Sequence, residues 1–128
     1  MSPTFLPTLA FHDSEIHSVA MLADTLTLAF SAAYVQLADK RSGYMQSVKM
    51  EFRQATWVGP TADCVGRLSD GTLWVNGAPQ APLTLPYASA GPVRVELRFS
   101  NGANLAISAQ AMVCRCTGDP QFVESFAC

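Results

Sequence analysis

The chain has 128 residues, of which 49% are apolar and only 14% charged, with a formal net charge of -2. Eight basic residues spread along the chain against ten acidic ones give nucleic acid no electrostatic footing, and no stretch approaches the ~20 apolar residues of a membrane-crossing helix. A chain of this length folds as one domain and buries roughly two-thirds of its unfolded surface without staples, so a single domain over residues 1–128 is expected. Charged residues make up about 25% of an average soluble domain. The deficit here implies apolar surface beyond the core, and with it a homodimer or a protein partner.

The N-terminal MSPTFLPTLAFHDSEIHS has neither a basic n-region nor an apolar h-region, which predicts a protein without a secretory signal and a cytoplasmic location. Cys64, Cys114, Cys116 and Cys128 lack CxxC spacing and read as free thiols. Pro3 and Pro7 punctuate the start, and His12-Asp13-Ser14 reads as a turn that feeds a strand beginning near Glu15. Ile16 to Leu22 and Thr25 to Leu37 then read as two strands joined at Ala23-Asp24, with Leu26, Leu28 and Phe30 on the inward face. After Phe30 the alternation slips at Ala32-Ala33 before resuming at Val35. That slip marks a β-bulge.

A loop at Asp39 to Gly43 leads into a strand expected from Tyr44 to Val58, where Val48, Met50 and Phe52 alternate with Lys49, Glu51 and Arg53. Gly59-Pro60 ends it. Ser69-Asp70-Gly71 has the chemistry of a hairpin turn leading into Thr72 to Asn76. Pro79, Pro82, Pro86 and Pro92 exclude a central strand between Gly77 and Pro92 and leave Leu83 to Leu85 as an edge piece. The clearest pattern follows, with Val93, Val95, Leu97 and Phe99 interleaved with Arg94, Glu96 and Arg98. Period two puts these sets on opposite faces of a strand. Asn101-Gly102 predicts a tight hairpin with positive φ at both central residues, and the returning strand, Asn104 to Cys116, changes phase between Ala109 and Met112. In GDPQFVESFAC, Asp119 and Pro120 predict a short helical turn carrying Phe122, Val123 and Phe126. The fold class is therefore all-β: an antiparallel meander of about seven or eight strands, forming a sandwich or a partly open barrel.

The densest polar cluster is His12, Asp13, Glu15 and His17. On a strand, Asp13, Glu15 and His17 share a face at i, i+2 and i+4, a three-ligand set for a divalent metal and the centre of a metal-dependent enzyme. The stronger reading is that Asp13 and Ser14 accept backbone N–H groups and His12 donates to a carbonyl where the chain enters the sheet, which makes the cluster structural. A nucleophile elbow, a phosphate-binding glycine loop and a second cysteine pair are all missing from the sequence, so the reading is non-enzymatic, with no cofactor and no bound metal. Cys114 and Cys116 lie on one strand face about 7 Å apart and read as small buried hydrophobes. Tyr34, Tyr44, Trp57, Trp74 and Tyr87 fall outside the inward rows. Trp57, Trp74 and Tyr87 are the candidate binding residues, with Trp74 the expected exposed anchor.

Phe11-His12-Asp13-Ser14-Glu15-Ile16, followed by the Leu26, Leu28, Phe30 row, resembles the strand entry of a group of small bacterial β-rich proteins, some of which are immunity proteins of polymorphic toxin systems. The closing Gly118-Asp119-Pro120-x-Phe122-Val123-Glu124 is similar to the same group. The resemblance implies an immunity-type or mobile-element accessory protein. Immunity proteins commonly carry acidic surfaces, and this chain is only weakly acidic. The resulting expectation is a protein-interaction module whose partner is another protein or a second copy. The alternatives are a small-molecule binder with an aromatic-lined cleft and a metal enzyme at His12, Asp13, Glu15 and His17.

Overall fold

The apolar rows become strands of one antiparallel sheet. The computed structural model describes residues 8–36, 42–45, 48–80, 83–84, 87–116 and 122–124. The strands are β1 Thr8–Leu22, β2 Thr25–Gln36, β3 Ser42–Met45, β4 Val48–Arg53, β5 Thr56–Val58, β6 Gly66–Val75, β7 Ala78–Pro79, β8 Leu83–Thr84, β9 Tyr87–Ser89, β10 Val93–Phe99, β11 Asn104–Ala109, β12 Ala111–Cys116 and β13 Phe122–Glu124, with a 3-10 turn at Thr61–Asp63. The main path runs β5-β11-β10-β6-β1-β2-β4-β12-β9 and is not closed into a barrel. Among the described residues no helix is long and apolar enough to cross a membrane.

Two chain breaks bend this path over a single core. β4 gives way to β5 at Gln54, which has φ 51°, and β11 gives way to β12 at Gln110, whose N–H donates to the Arg53 carbonyl at 3.0 Å. Arg53 faces Ala111 on one side of the break and Thr56 faces Ser108 on the other. The two chains thus cross the bend together as one ribbon, with β4 and β12 near one end of the path and β5 and β11 at the other. Leu26, Leu28, Phe30, Met50 and Phe52 are thereby buried in the same cluster as Leu73, Val95, Leu97, Leu105 and Ile107. The phase change from Ala109 to Met112 keeps the buried side inward past the bend.

The β1–β2 hairpin turns at Ala23-Asp24 as expected, with Leu22 opposite Thr25 and φ 55° at Ala23. The β2 bulge is present: Ile16 faces Phe30 while Glu15 faces Ala32. Strand β10 keeps its predicted bounds, and the described residues of the proline-rich stretch supply the short β7, β8 and β9.

Other expectations are corrected. Among the described residues the strand count is thirteen, because long runs break at bends and short proline-limited pieces still pair. The run from Tyr44 to Val58 is three strands rather than one. Strand β1 starts at Thr8, before Glu15, because a bulge absorbs the polar cluster without ending the strand. Asn101-Gly102 is not a two-residue turn. Gly102 N–H donates to the Phe99 carbonyl and Phe99 N–H to the Ala103 carbonyl, a three-residue loop in which only Gly102 takes positive φ.

Ser69-Asp70-Gly71 is not a turn either but the middle of β6. Gly71 serves there as a gap in the inner face: a Cβ on it would lie 2.7 Å from Phe11 Cβ and 2.9 Å from Leu97 Cδ2. The expected C-terminal helical turn is replaced at Phe122–Glu124 by β13, which pairs with β3. A helix this short is marginal, whereas an open strand edge offers backbone partners at once. Asp119, Pro120 and Phe126 lie outside the described residues.

Candidate functional site

The polar cluster sits at the bulge where β1 changes register on β2, from Ala10 opposite Tyr34 to Glu15 opposite Ala32. Ser14 is wholly buried. Its hydroxyl donates to the Ala10 carbonyl at 2.7 Å and accepts the Tyr34 N–H at 2.8 Å, so it closes the gap the bulge opens in the ladder. Asp13 takes φ 65°, which turns both His12 and Asp13 to solvent between buried Phe11 and Ser14. Asp13, Glu15 and His17 are all exposed, but among the described residues no group of three His, Cys, Asp or Glu side chains converges tightly enough to hold a metal ion. The Glu15 carboxylate instead accepts the Ser31 hydroxyl at 2.6 Å.

His12 joins an aromatic row the sequence only half displayed. Its ring lies 5.6 Å from that of Tyr34, which lies 5.4 Å from that of Tyr44, with interplanar tilts of 60° and 51°. The register explains the second contact, since Tyr34 stands directly opposite Tyr44 on β3. The outward phase of both tyrosines was legible in the sequence. The bulge that brings His12 to them was not.

The three candidate binding aromatics are not brought into one cleft. Trp57 stands opposite Ile107 and Tyr87 opposite Cys114, and both pack partly against the core. Trp74 stands opposite Arg94 on one side and Pro79 on the other. Since Arg94 alternates with buried Val93 and Val95, Trp74 belongs to the outer face, where a single cross-strand row runs Thr56, Ser108, Arg94, Trp74. An open cleft of about 520 Å³ lies along this row, lined also by Gln54, Gln110 and Pro92. Arg94 donates through Nε and Nη2 to Glu96 Oε2 at 3.1 and 2.7 Å, so its charge is compensated within its own strand.

No family model, curated protein or solved structure matches this chain. The site therefore has to be read from its own geometry.

The feature that sequence reasoning missed is an edge. Beyond Ile16, among the described residues, no strand pairs with β1 on the side away from β2. His17-Ser18-Val19-Ala20-Met21-Leu22 contains no Asp, Glu, Lys or Arg and no proline. It ends in a hairpin tip where Met21 is 44% and Leu22 82% exposed. The ends of the sheet path are protected differently: β5 and β9 have three residues each, with Gly59-Pro60 after the first and Pro86 before the second. Short length and flanking proline are ordinary guards on a strand edge. β1 is fifteen residues long, and its one flanking proline, Pro7, lies at the far end from Ser18–Leu22, which runs into Ala23-Asp24.

Proposed function

We propose that this chain is a non-enzymatic protein-interaction module that works through the open edge and tip of β1, and that its first partner is a second copy of itself. The observation that carries the reading is the edge free of Asp, Glu, Lys and Arg that ends in Leu22, the most exposed large apolar side chain among the described residues. An open edge adds a strand by making main-chain hydrogen bonds, and alternate side chains set the register. Run antiparallel to itself about a two-fold axis, this edge meets no like charge, and the contact is isologous. A net charge of -2 adds little long-range repulsion. A role as a bacterial immunity-type or mobile-element accessory protein, implied by the Phe11–Ile16 resemblance, and a cytoplasmic location belong to the same proposal, with the dimer as the acting unit.

Solution mass tests this. The wild-type chain should weigh as a dimer by light scattering at micromolar concentration, and Ala20→Lys/Leu22→Lys should weigh as a monomer with an unchanged circular dichroism spectrum. Both positions are exposed, so the substitutions leave the core untouched. A wild-type monomer at all concentrations would overturn the proposal.

A further inference from the structure

The outer-face cleft is separate from the β1 edge and has its own chemistry. Its floor is the cross-strand row of Thr56, Ser108, Arg94 and Trp74, four adjacent strands wide. At a strand spacing of about 4.8 Å, Thr56 and Trp74 stand on the order of 14 Å apart. At the bend, Gln54 and Gln110 add two carboxamides. Gln54, Thr56, Ser108 and Gln110 are all exposed, and Trp74 is half-buried.

Each part of the lining narrows the ligand. Hydroxyl and carboxamide side chains both donate and accept hydrogen bonds, so the site suits a ligand dense in groups that do the same. The lining contains no carboxylate, and its one cation, Arg94, is already held by Glu96. A phosphate or a polyanion would have to compete with that carboxylate, so net charge is not what the cleft selects. Trp74 supplies a flat, polarisable apolar face at one end. A purely apolar ligand would leave two amides and two hydroxyls unanswered along the rest of the row. The openness of the cleft favours an extended ligand lying across the strands over a compact one sealed inside.

We infer that this cleft is a binding site for a neutral saccharide, two or three sugar units long, with one ring's C–H face on Trp74 and its hydroxyls engaged by Gln54, Thr56, Ser108 and Gln110. A neutral sugar offers both an apolar face and a rim of hydroxyls that donate and accept. The site does not depend on self-association, because none of its residues belongs to β1.

The test is a neutral-glycan array probed with the full chain, followed by tryptophan-fluorescence titration with the oligosaccharides that bind and with maltohexaose, cellohexaose and chitotetraose as fixed probes. At least one neutral oligosaccharide should bind with a sub-millimolar Kd and perturb the emission. Trp74→Ala should weaken it at least tenfold, and Gln54→Ala and Gln110→Ala several-fold each. Trp57→Phe, altered outside the cleft, should bind as wild type does, as should Ala20→Lys/Leu22→Lys. The inference is overturned if no neutral glycan binds, if Trp74→Ala binds normally with an unchanged circular dichroism spectrum, or if only anionic glycans bind.

Discussion

Gly71 lies directly beneath Phe11: a Cβ at Gly71 would stand 2.7 Å from Phe11 Cβ and 2.8 Å from its Cγ. The close approach fixes how β6 packs on the bulged part of β1. Gly71→Ala should therefore destabilise the protein by about 1–3 kcal/mol through overpacking, measured as a lower urea midpoint at constant m-value. Removing Phe11 Cγ relieves part of the same clash. Phe11→Ala combined with Gly71→Ala should cost less than the two single changes added together, and strict additivity would show that the two residues do not share a contact.

Ser14 and His12 sit two residues apart, but only one of them bears on stability. Ser14→Ala removes both the donor to Ala10 and the buried acceptor for Tyr34 N–H, at a cost of about 1–3 kcal/mol. His12 is exposed, and His12→Ala should fall within about 0.5 kcal/mol of wild type. A larger loss at His12 than at Ser14 in chemical denaturation would reverse this assignment of scaffold and surface.

Asn101 ties the β10–β11 loop to the segment before β6. Its Nδ2 donates to the Asp63 carbonyl at 2.9 Å, and its Oδ1 accepts the Ala103 N–H at 2.9 Å. Asn101→Ala should cost about 0.5–1.5 kcal/mol. Hydrogen exchange should show the loss spreading to residues 61–65, not only to the hairpin that carries the substitution.

Cys64 is buried and outside any disulfide, and burial, with a smaller contribution from the Asp63 carboxylate, raises its thiol above the ordinary value of 9.0. As pH rises through 9.0 the unfolded chain releases this proton while the folded chain retains it, so stability contributed by the neutral thiol is lost on the alkaline side. Cys64→Ala should flatten the fall in stability between neutral and alkaline pH. Native Cys64 should also react slowly with a thiol reagent at neutral pH and quickly once unfolded.

How far the sequence carried can be read residue by residue. Val93, Val95, Leu97 and Phe99 declared a strand and its buried face because period two is a local property, and the slip after Phe30 declared a bulge for the same reason. Glycine is ambiguous by nature. It serves positive φ and close approach alike, and Gly71, read as a turn residue, turned out to be the second kind. Trp74 was expected to be the exposed anchor, but it is half-buried, as Trp57 is, and their faces follow from partners, Ile107 for Trp57 and Arg94 for Trp74, that no local pattern names. The edge at Ser18–Leu22 was hidden for a related reason. Its apolar run looks like any strand until the neighbours of β1 are counted, and on one side, among the described residues, they stop at Ile16.

The most direct test of edge pairing is amide hydrogen exchange over Ser18–Leu22 as a function of protein concentration. Antiparallel self-pairing predicts that the amides facing away from β2 gain protection as concentration rises and lose it in Ala20→Lys/Leu22→Lys, with the rest of the sheet unchanged. Exchange at those amides that is fast and independent of concentration would contradict it.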